Sequence, residues 1–260
     1  MGRSSAFLCT LTSLPYKRQA VFIWACRFQF IVGYAQKDTA ASGFAMLSAQ
    51  FESVSAADGS AKLSDLTIGG YDPYDEVEDE GGTSGSFRIQ FLSSSGTMES
   101  QYFWYDDDEK TGWFDKDGNA ADDVTLAAAK GLWVRGAGLT ITSAGAVNED
   151  DIVVPTASSG FKAIGNTFPV DIKLSQLAVT GYAPYDPVED EGGTSGSFRI
   201  QFLTSSGTMA AQYFWYDDDE KTGWFDKDGT ASGDVTIAAG TGVWVRGGGL
   251  TVRIPAPELN

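Results

Sequence analysis

The chain carries an internal duplication, and this feature constrains its fold most strongly. Residues 71–138 recur as residues 182–249, with 13 mismatches over 68 aligned positions and no gap. Upstream, residues 39–44 recur as residues 156–161. The difference in residue number between equivalent positions falls from 117 to 111, because the first copy has six extra residues near 53–61. We expect a surface loop there. The fold is therefore predicted to consist of two copies of one unit.

Each copy shows the alternation of apolar and polar residues that is typical of β-strands. Within residues 86–92, Phe87, Ile89 and Phe91 fall on one face of a strand, and a second strand at 101–105 follows a glycine-containing turn. Further strands are predicted at 61–69, 112–114, 124–128, 132–135, 139–142 and, opening the second copy, 151–154. Seven or eight short strands per copy predict an all-β fold of two tandem β-sandwich or small-barrel domains, internally duplicated.

The charge distribution restricts the partners of the chain. Residues 1–37 contain five bases and no acid, so residues 38–260 carry a net charge of about −22. Such a charge argues against nucleic acid and against an anionic membrane surface, and it attracts cations. Because the chain contains no histidine, a Ser-His-Asp triad is excluded, and zinc and iron–sulfur sites are disfavoured with only Cys9 and Cys26 present.

The N-terminus resembles a secretory signal. Lys17 and Arg18 precede an apolar run at 20–26, and Gly33-Tyr-Ala35 offers small residues for cleavage. Cleavage after Ala35 would cut into the expected first strand of the first copy, so either that strand is trimmed or cleavage lies upstream. We therefore predict a leader at 1–30, a first β domain at 31–145 and a second at 146–260, in a protein that is secreted or held at the cell surface. No apolar run is long enough for a membrane-spanning helix.

Short motifs link the chain to a family. Ile31-Val-Gly-Tyr34, Gly131-Leu-Trp-Val134, its partner Gly242-Val-Trp-Val245, and Leu139-Thr-Ile-Thr142 resemble motifs of uncharacterised secreted tandem-repeat proteins of bacterial metagenomes. In that family an IVGY start follows the signal peptide, and each repeat ends with a G-x-W-V strand. The resemblance covers most of residues 31–250 and implies export and an all-β repeat, without supplying an activity.

Calcium is the first candidate ligand. Asp115-Lys-Asp-Gly-Asn119 places oxygen atoms at alternating positions around a tight turn, as calcium loops do. The predicted ligands are Asp115, Asp117, Asn119 and Asp122 in the first copy and Asp226, Asp228 and Asp234 in the second. The motif is not an EF-hand, because Ala120 and Leu126 occupy its sixth and twelfth positions. The alternative is a polar β-turn without metal.

Acidic loops are a second candidate for binding cations. They lie at 72–80 and 106–109, with counterparts at 186–191 and 217–220. Crowded carboxylates repel one another, and a bound cation would relieve the repulsion. The alternative is a solvated acidic surface.

Carbohydrate is the third candidate, because aromatic rings beside carboxylates can stack on sugars. The candidate rings are Tyr102, Trp104 and Trp113 in the first copy and Tyr213, Trp215 and Trp224 in the second. In a strand, Tyr102 and Trp104 face one way, while Phe103 and Tyr105 face the other, so one pair is expected in the core and the other can be exposed. The alternative is that all of these rings are buried.

These observations favour a binding function without catalysis. The leading hypothesis is an exported tandem β-module that binds an extracellular glycan or a surface protein, with Ca²⁺ as a structural cofactor, since two copies raise apparent affinity. The alternative is a self-assembling structural subunit of a surface layer or fibre. A glycoside hydrolase that uses a pair of carboxylates is the third and least favoured hypothesis.

Overall fold

The computed structural model describes most of the chain after residue 31. The described residues are 32–38, 44–53, 60–70, 87–93, 97–106, 108–136, 138–156, 161–181, 198–204, 206–217, 219–247 and 249–257. They form twenty β-strands and two short 3₁₀ turns, with no α-helix among them. The all-β prediction is therefore confirmed, whereas the predicted leader lies outside the described residues.

The first ten strands belong to the first copy, which we call the first repeat. They are β1 (Val32–Asp38), β2 (Phe44–Ser48), β3 (Ala61–Lys62), β4 (Leu66–Gly69), β5 (Arg88–Leu92), β6 (Met98–Asp106), β7 (Thr111–Asp115), β8 (Thr125–Leu126), β9 (Gly131–Arg135) and β10 (Thr140–Ala146).

The other ten strands form the second repeat. They are β11 (Ile152–Pro155), β12 (Phe161–Gly165), β13 (Ile172–Lys173), β14 (Ala178–Thr180), β15 (Arg199–Leu203), β16 (Met209–Asp217), β17 (Thr222–Asp226), β18 (Thr236–Ile237), β19 (Gly242–Arg246) and β20 (Thr251–Ile254).

The two repeats share one topology. In the first repeat, a five-stranded sheet has the order β2-β9-β5-β6-β7, a three-stranded sheet has the order β1-β10-β4, and β3 pairs with β8. The second repeat has the same three sheets, with β12-β19-β15-β16-β17, β11-β20-β14 and β13-β18. Ten strands per repeat exceed the seven or eight that were predicted, because the predicted strand at 61–69 is divided into β3 and β4 and because no strand was predicted at Phe44–Ser48.

The core of each repeat lies between its five-stranded and three-stranded sheets. In the first repeat, Ile89 and Leu132 from the larger sheet share one buried cluster with Leu66 and Ile141 from the smaller sheet. Two sheets that bury their facing side chains in this way form a β-sandwich. The predicted inward face of β5 is confirmed, since Ile89 is completely buried.

One predicted strand is interrupted. The sequence predicts a continuous strand over 61–69, but Leu63–Asp65 form a 3₁₀ turn between β3 and β4. The Lys62 backbone N–H donates a hydrogen bond to the Asp65 carboxylate at 2.8 Å, which closes the turn. A short acidic side chain competes here with the strand ladder for a backbone donor.

The two repeats pack against each other through equivalent strands. The Ser48 N–H donates to the Gly240 carbonyl at 3.0 Å, and the Gly165 N–H donates to the Ala129 carbonyl at 2.9 Å. Ser48 and Gly165 are equivalent positions in the two copies, and so are Ala129 and Gly240. The same pair of contacts thus occurs twice, as in the interface of a twofold homodimer.

Apolar side chains fill the centre of this interface. Met46, Ala163 and Trp244 form a buried cluster, with half-buried Trp133, Leu92 and Leu203 packed against it. The two tryptophan rings meet edge to face, with their centroids 6.3 Å apart. Every member has its equivalent from the other repeat, which extends the twofold relation to the side chains.

A glycine permits the close approach of the two repeats. A Cβ atom added at Gly131 would lie 2.8 Å from the Ala163 Cβ and 2.9 Å from the Ala163 backbone carbon. No larger residue fits there unless the backbone of the second repeat moves.

Among the described residues, no helix is long and apolar enough to cross a membrane.

Candidate ligand-binding site

Two of the six predicted ligand-binding residues are core residues. Trp113 has no exposed surface, and Trp224 is 2% exposed. Their rings pack on Phe87 and Phe198, with centroid separations of 5.1 Å in both repeats. Because protein covers both rings, neither offers a face on which a ligand can stack in this structure. The short strands β7 and β17 gave too little alternation to predict this burial.

The other four residues are half-buried. Tyr102 and Trp104 on β6, and Tyr213 and Trp215 on β16, lie on the inner face of the five-stranded sheets, where they pack against the core of their own repeat. We call Tyr102 with Trp104 the first ledge and Tyr213 with Trp215 the second ledge. The structure therefore shows which pair in this strand retains surface, a choice that the alternation alone left open.

Neighbouring rings hold each ledge in place. In the first ledge, Trp104 meets Trp113 with centroids 5.4 Å apart, and Tyr102 meets Phe91 at 5.5 Å, both edge to face. In the opposite direction on the same strand, Phe103 and Tyr105 are each 3% exposed. Edge-to-face aromatic pairs stabilise ring orientation, so the ledges are fixed before any ligand arrives.

The two ledges differ at one neighbour. The Lys130 ammonium lies 3.7 Å from the centroid of the Phe91 ring, and Phe91 is 4% exposed. The equivalent residues in the second repeat are Phe202, which is half-buried, and Thr241. Within the described residues, the first ledge therefore has a lysine on a neighbouring ring, held there by a cation–π contact, and the second ledge has a threonine at the equivalent position.

A groove of about 560 Å³ runs between the two repeats. The hairpin of β5 and β6 contributes Leu92 and Glu99, the start of β9 contributes Lys130, and the second repeat contributes Val153 and Lys162. Lys130 and Lys162 are half-buried, and Glu99 is exposed. This volume lies within the range of small-ligand sites, about 300–1,000 Å³.

Burial in the groove affects the titration of Lys130. Burial lowers the pKa of Lys130 from its usual value, Lys162 lowers it further, and Glu99 opposes the shift. Two ammonium groups and one carboxylate therefore interact across the boundary between the repeats.

A smaller cavity lies elsewhere on the same boundary. It has a volume of about 220 Å³, and its lining includes Gln50, Glu52, Asn148 and Thr167. Burial and the nearby Asp150 raise the pKa of the Glu52 carboxyl. The cavity is smaller than most ligand sites, so it is a weaker candidate than the groove.

The predicted calcium turn of the first repeat is closed by its own hydrogen bonds. Asp115 Oδ1 accepts the backbone N–H groups of Asp117 and Asn119, each at 2.9 Å. The side-chain amide of Asn119 also donates to both oxygens of Asp115. These bonds, with the Asn119 side chain first, lower the pKa of Asp115. In the second repeat, Asp226 accepts two equivalent backbone bonds, but Thr230 replaces the asparagine.

The remaining predicted metal ligands face other partners. Asp122 accepts a hydrogen bond from the Trp113 backbone N–H at 3.0 Å. Asp117 and Asp228 form ion pairs with Lys116 and Lys227, and Asp234 forms one with Lys173. In the described part of the chain, no three Asp, Glu or Cys side chains are grouped closely enough to hold a metal ion. Calcium binding therefore stays a prediction that this geometry does not support.

The predicted acidic loops can be located only in part. Residues 72–80 and 186–191 lie outside the described residues, and so do Asp107 and Asp218 in the other two loops. Glu99 and Lys130 are two of the 13 positions at which the aligned copies differ, but no function was predicted for either. None was predicted for Lys162, whose equivalent is Ala45.

The comparisons with known proteins add no relative. No protein-family model matches this chain, and neither a curated protein nor a solved structure matches it.

Proposed function

We propose that this protein is an exported module, secreted or held at the cell surface, that binds an extracellular glycan without catalysing a reaction. The observation that carries the proposal is the pair of ledges. Two half-buried aromatic residues, Tyr and Trp, recur at equivalent positions on the same long strand of each repeat.

The ledges suit the chemistry of a sugar. A sugar ring has an apolar face of C–H groups, and Tyr and Trp combine a flat apolar body with a polar tip. Because neighbouring rings already hold the ledges, little side-chain entropy is lost on binding. Two ledges on one chain also raise the apparent affinity for a ligand that reaches both.

Assembly into a surface layer or fibre is the competing hypothesis, and covered sheet edges argue against one route to it. On the outer edge of β7, the Asp115 N–H donates to the Asn119 carbonyl at 2.9 Å, and the Ala121 N–H donates to the Trp113 carbonyl at 2.7 Å. On the opposite edge of the sheet, β2 contacts the second repeat. Covered edges do not template pairing with another sheet.

The proposal is tested by replacing Tyr102 and Tyr213 with leucine, which keeps an apolar side chain and removes the flat ring. Binding is first located on a glycan array and then measured by calorimetry. We expect the double variant to bind about tenfold more weakly, which corresponds to about 1.4 kcal/mol.

The matched control replaces Met98 and Met209 with leucine, because both are apolar and more than half exposed, at 53% and 54%. We expect the control to bind like the wild type. A wild-type protein that binds no glycan and assembles with rising concentration in analytical ultracentrifugation would support the structural hypothesis instead.

A further inference from the structure

We propose that the groove between the repeats binds the carboxylate group of an acidic glycan through Lys130 and Lys162. This inference rests on the proposed function, and it names both the ligand class and the place where the acidic sugar lies. The second ledge, in contrast, is assigned to an uncharged part of the ligand.

The charges of the groove are not duplicated. Glu99 and Lys130 occur in the first repeat, where the second has Ala210 and Thr241. Lys162 occurs in the second repeat, where the first has Ala45. The twofold packing brings these three charged residues into one groove. The equivalent positions across the twofold relation are therefore Ala45, Ala210 and Thr241, none of which is charged.

One buried ring, Phe91, links the groove to the first ledge. Lys130 holds its ammonium 3.7 Å from the Phe91 ring centroid, and Phe91 meets Tyr102 of the ledge at 5.5 Å. A sugar stacked on Tyr102 would thus have a cation one ring away. An aromatic platform beside a cation is suited to a sugar acid more than to an acidic peptide, which has no flat apolar face to stack.

The electrostatics favour an anion at this place. Two half-buried ammonium groups repel each other, and a carboxylate between them would relieve the repulsion and accept charge-assisted hydrogen bonds. Glu99 faces the same groove and opposes the anion. The selectivity is local, because the whole chain has a net charge of −17, which disfavours anions elsewhere on its surface.

The test uses calorimetry on the intact protein with three probes. They are an oligogalacturonate, the same oligomer with its carboxylates methyl-esterified, and tetraglutamate as an acidic peptide. Lys130→Thr and Lys162→Ala each introduce the residue of the other repeat. We expect each to bind the oligogalacturonate at least tenfold more weakly and to leave binding of the esterified oligomer unchanged.

Glu99→Ala is expected to change the affinity for the oligogalacturonate in the opposite direction. Removing this carboxylate should tighten binding of the oligogalacturonate severalfold, which a merely structural role of the lysines would not predict. Lys227→Ala is the control, because this lysine is exposed, pairs with the adjacent Asp228 and does not line the groove. We expect the control to bind all probes like the wild type.

Three outcomes would overturn the inference, and the first two are distinguishable from failure of the proposed function. Equal affinity for the acidic and esterified oligomers would show that the groove does not bind the carboxylate, while glycan binding itself would stand. Affinity for tetraglutamate as high as for the oligogalacturonate would reduce the groove to a general anion site. Failure to bind any glycan in the array, with no effect of the Tyr102 and Tyr213 variants, would overturn the proposed function and this inference together.

Discussion

The first and second repeats share one topology and are nearly identical over residues 71–138 and 182–249, but they meet the boundary between them with different side chains. Gln50 of the first repeat faces Gly240 of the second, where an added Cβ would lie 2.5 Å from the Gln50 Oε1. The equivalent positions on the other side of the twofold relation hold Thr167 and Ala129. A large residue is thus matched with glycine on one side, and a smaller one with alanine on the other.

This difference makes the two sides of the boundary unlike in their side chains. Ala129 has a positive φ of 55° and is completely buried in the core cluster of the second repeat. Gly240 has a similar φ of 66° without a side chain. The backbone has kept its symmetry, whereas the side chains at the boundary, including the charges of the groove, have lost it.

The largest expected effect comes from Gly240→Ala. This change places a Cβ in a left-handed conformation and against Gln50, so we expect a loss of about 2 kcal/mol in the free energy of unfolding, measured with urea. Adding Gln50→Thr recreates the arrangement of Ala129 and Thr167. A coupling of about 1 kcal/mol in the double-mutant cycle would support the pairing of unlike residues, whereas additive effects would contradict it.

The second largest effect on stability is expected from Asp122→Ala, at the outer edge of the five-stranded sheet. Asp122 accepts the Trp113 N–H at 3.0 Å, but Gly233 occupies the equivalent position in the second repeat. Asp122→Ala should lower the free energy of unfolding by about 1.5 kcal/mol, because a charge-assisted hydrogen bond is lost. Gly233→Asp should stabilise the second repeat relative to Gly233→Ala. Equal stability of these two variants would show that the carboxylate does not cap the edge there.

A calcium titration tests whether the acidic turns bind the ion. A bound ion would raise the unfolding midpoint, and at a concentration equal to Kd the stabilisation is about 0.4 kcal/mol. If the predicted sites exist, calcium raises the midpoint of the wild type but not that of a variant with Asp115→Asn and Asp226→Asn. An unchanged midpoint with calcium and with a chelator would contradict the calcium prediction.

The smallest expected effect is a change in the pKa of Asp115, which is bonded by the Asn119 side chain in the first repeat, where the second repeat has Thr230. The Asn119 side chain lowers the pKa of Asp115 in the folded protein, so this interaction stabilises the fold above the unfolded pKa and is lost as the pH falls through the folded pKa. Asn119→Thr copies the second repeat and should raise the pKa of Asp115 in an NMR titration of the carboxyl group. A pKa that does not move would mean that the side-chain bond is absent in solution.

Much of the fold was predictable because alternation in the sequence has a direct structural cause. Phe87, Ile89 and Phe91 alternate with polar residues, and the structure buries all three. The 3₁₀ turn at Leu63–Asp65 was missed because its cause is one hydrogen bond from Lys62 to Asp65, which leaves the apolar pattern intact. The packing of the repeats was left open, since contacts such as those of Gly131 involve residues distant in sequence.

The candidate site was predictable only in its aromatic part. The composition of β6 pointed to Tyr102 and Trp104, and the structure leaves both half-buried. The groove could not be predicted, because Lys130 and Lys162 come from different repeats and meet only through the twofold packing. A search for charged residues present in one copy alone would have found them, although not their common location.

The central claim is that near-identical repeats present unlike surfaces to one acidic glycan, and NMR mapping with an oligogalacturonate tests it most directly. The account predicts that resonances of Tyr102 and Lys130 shift on titration and that those of Thr241 do not. Equal shifts at Lys130 and Thr241, or shifts confined to the acidic turns, would contradict it.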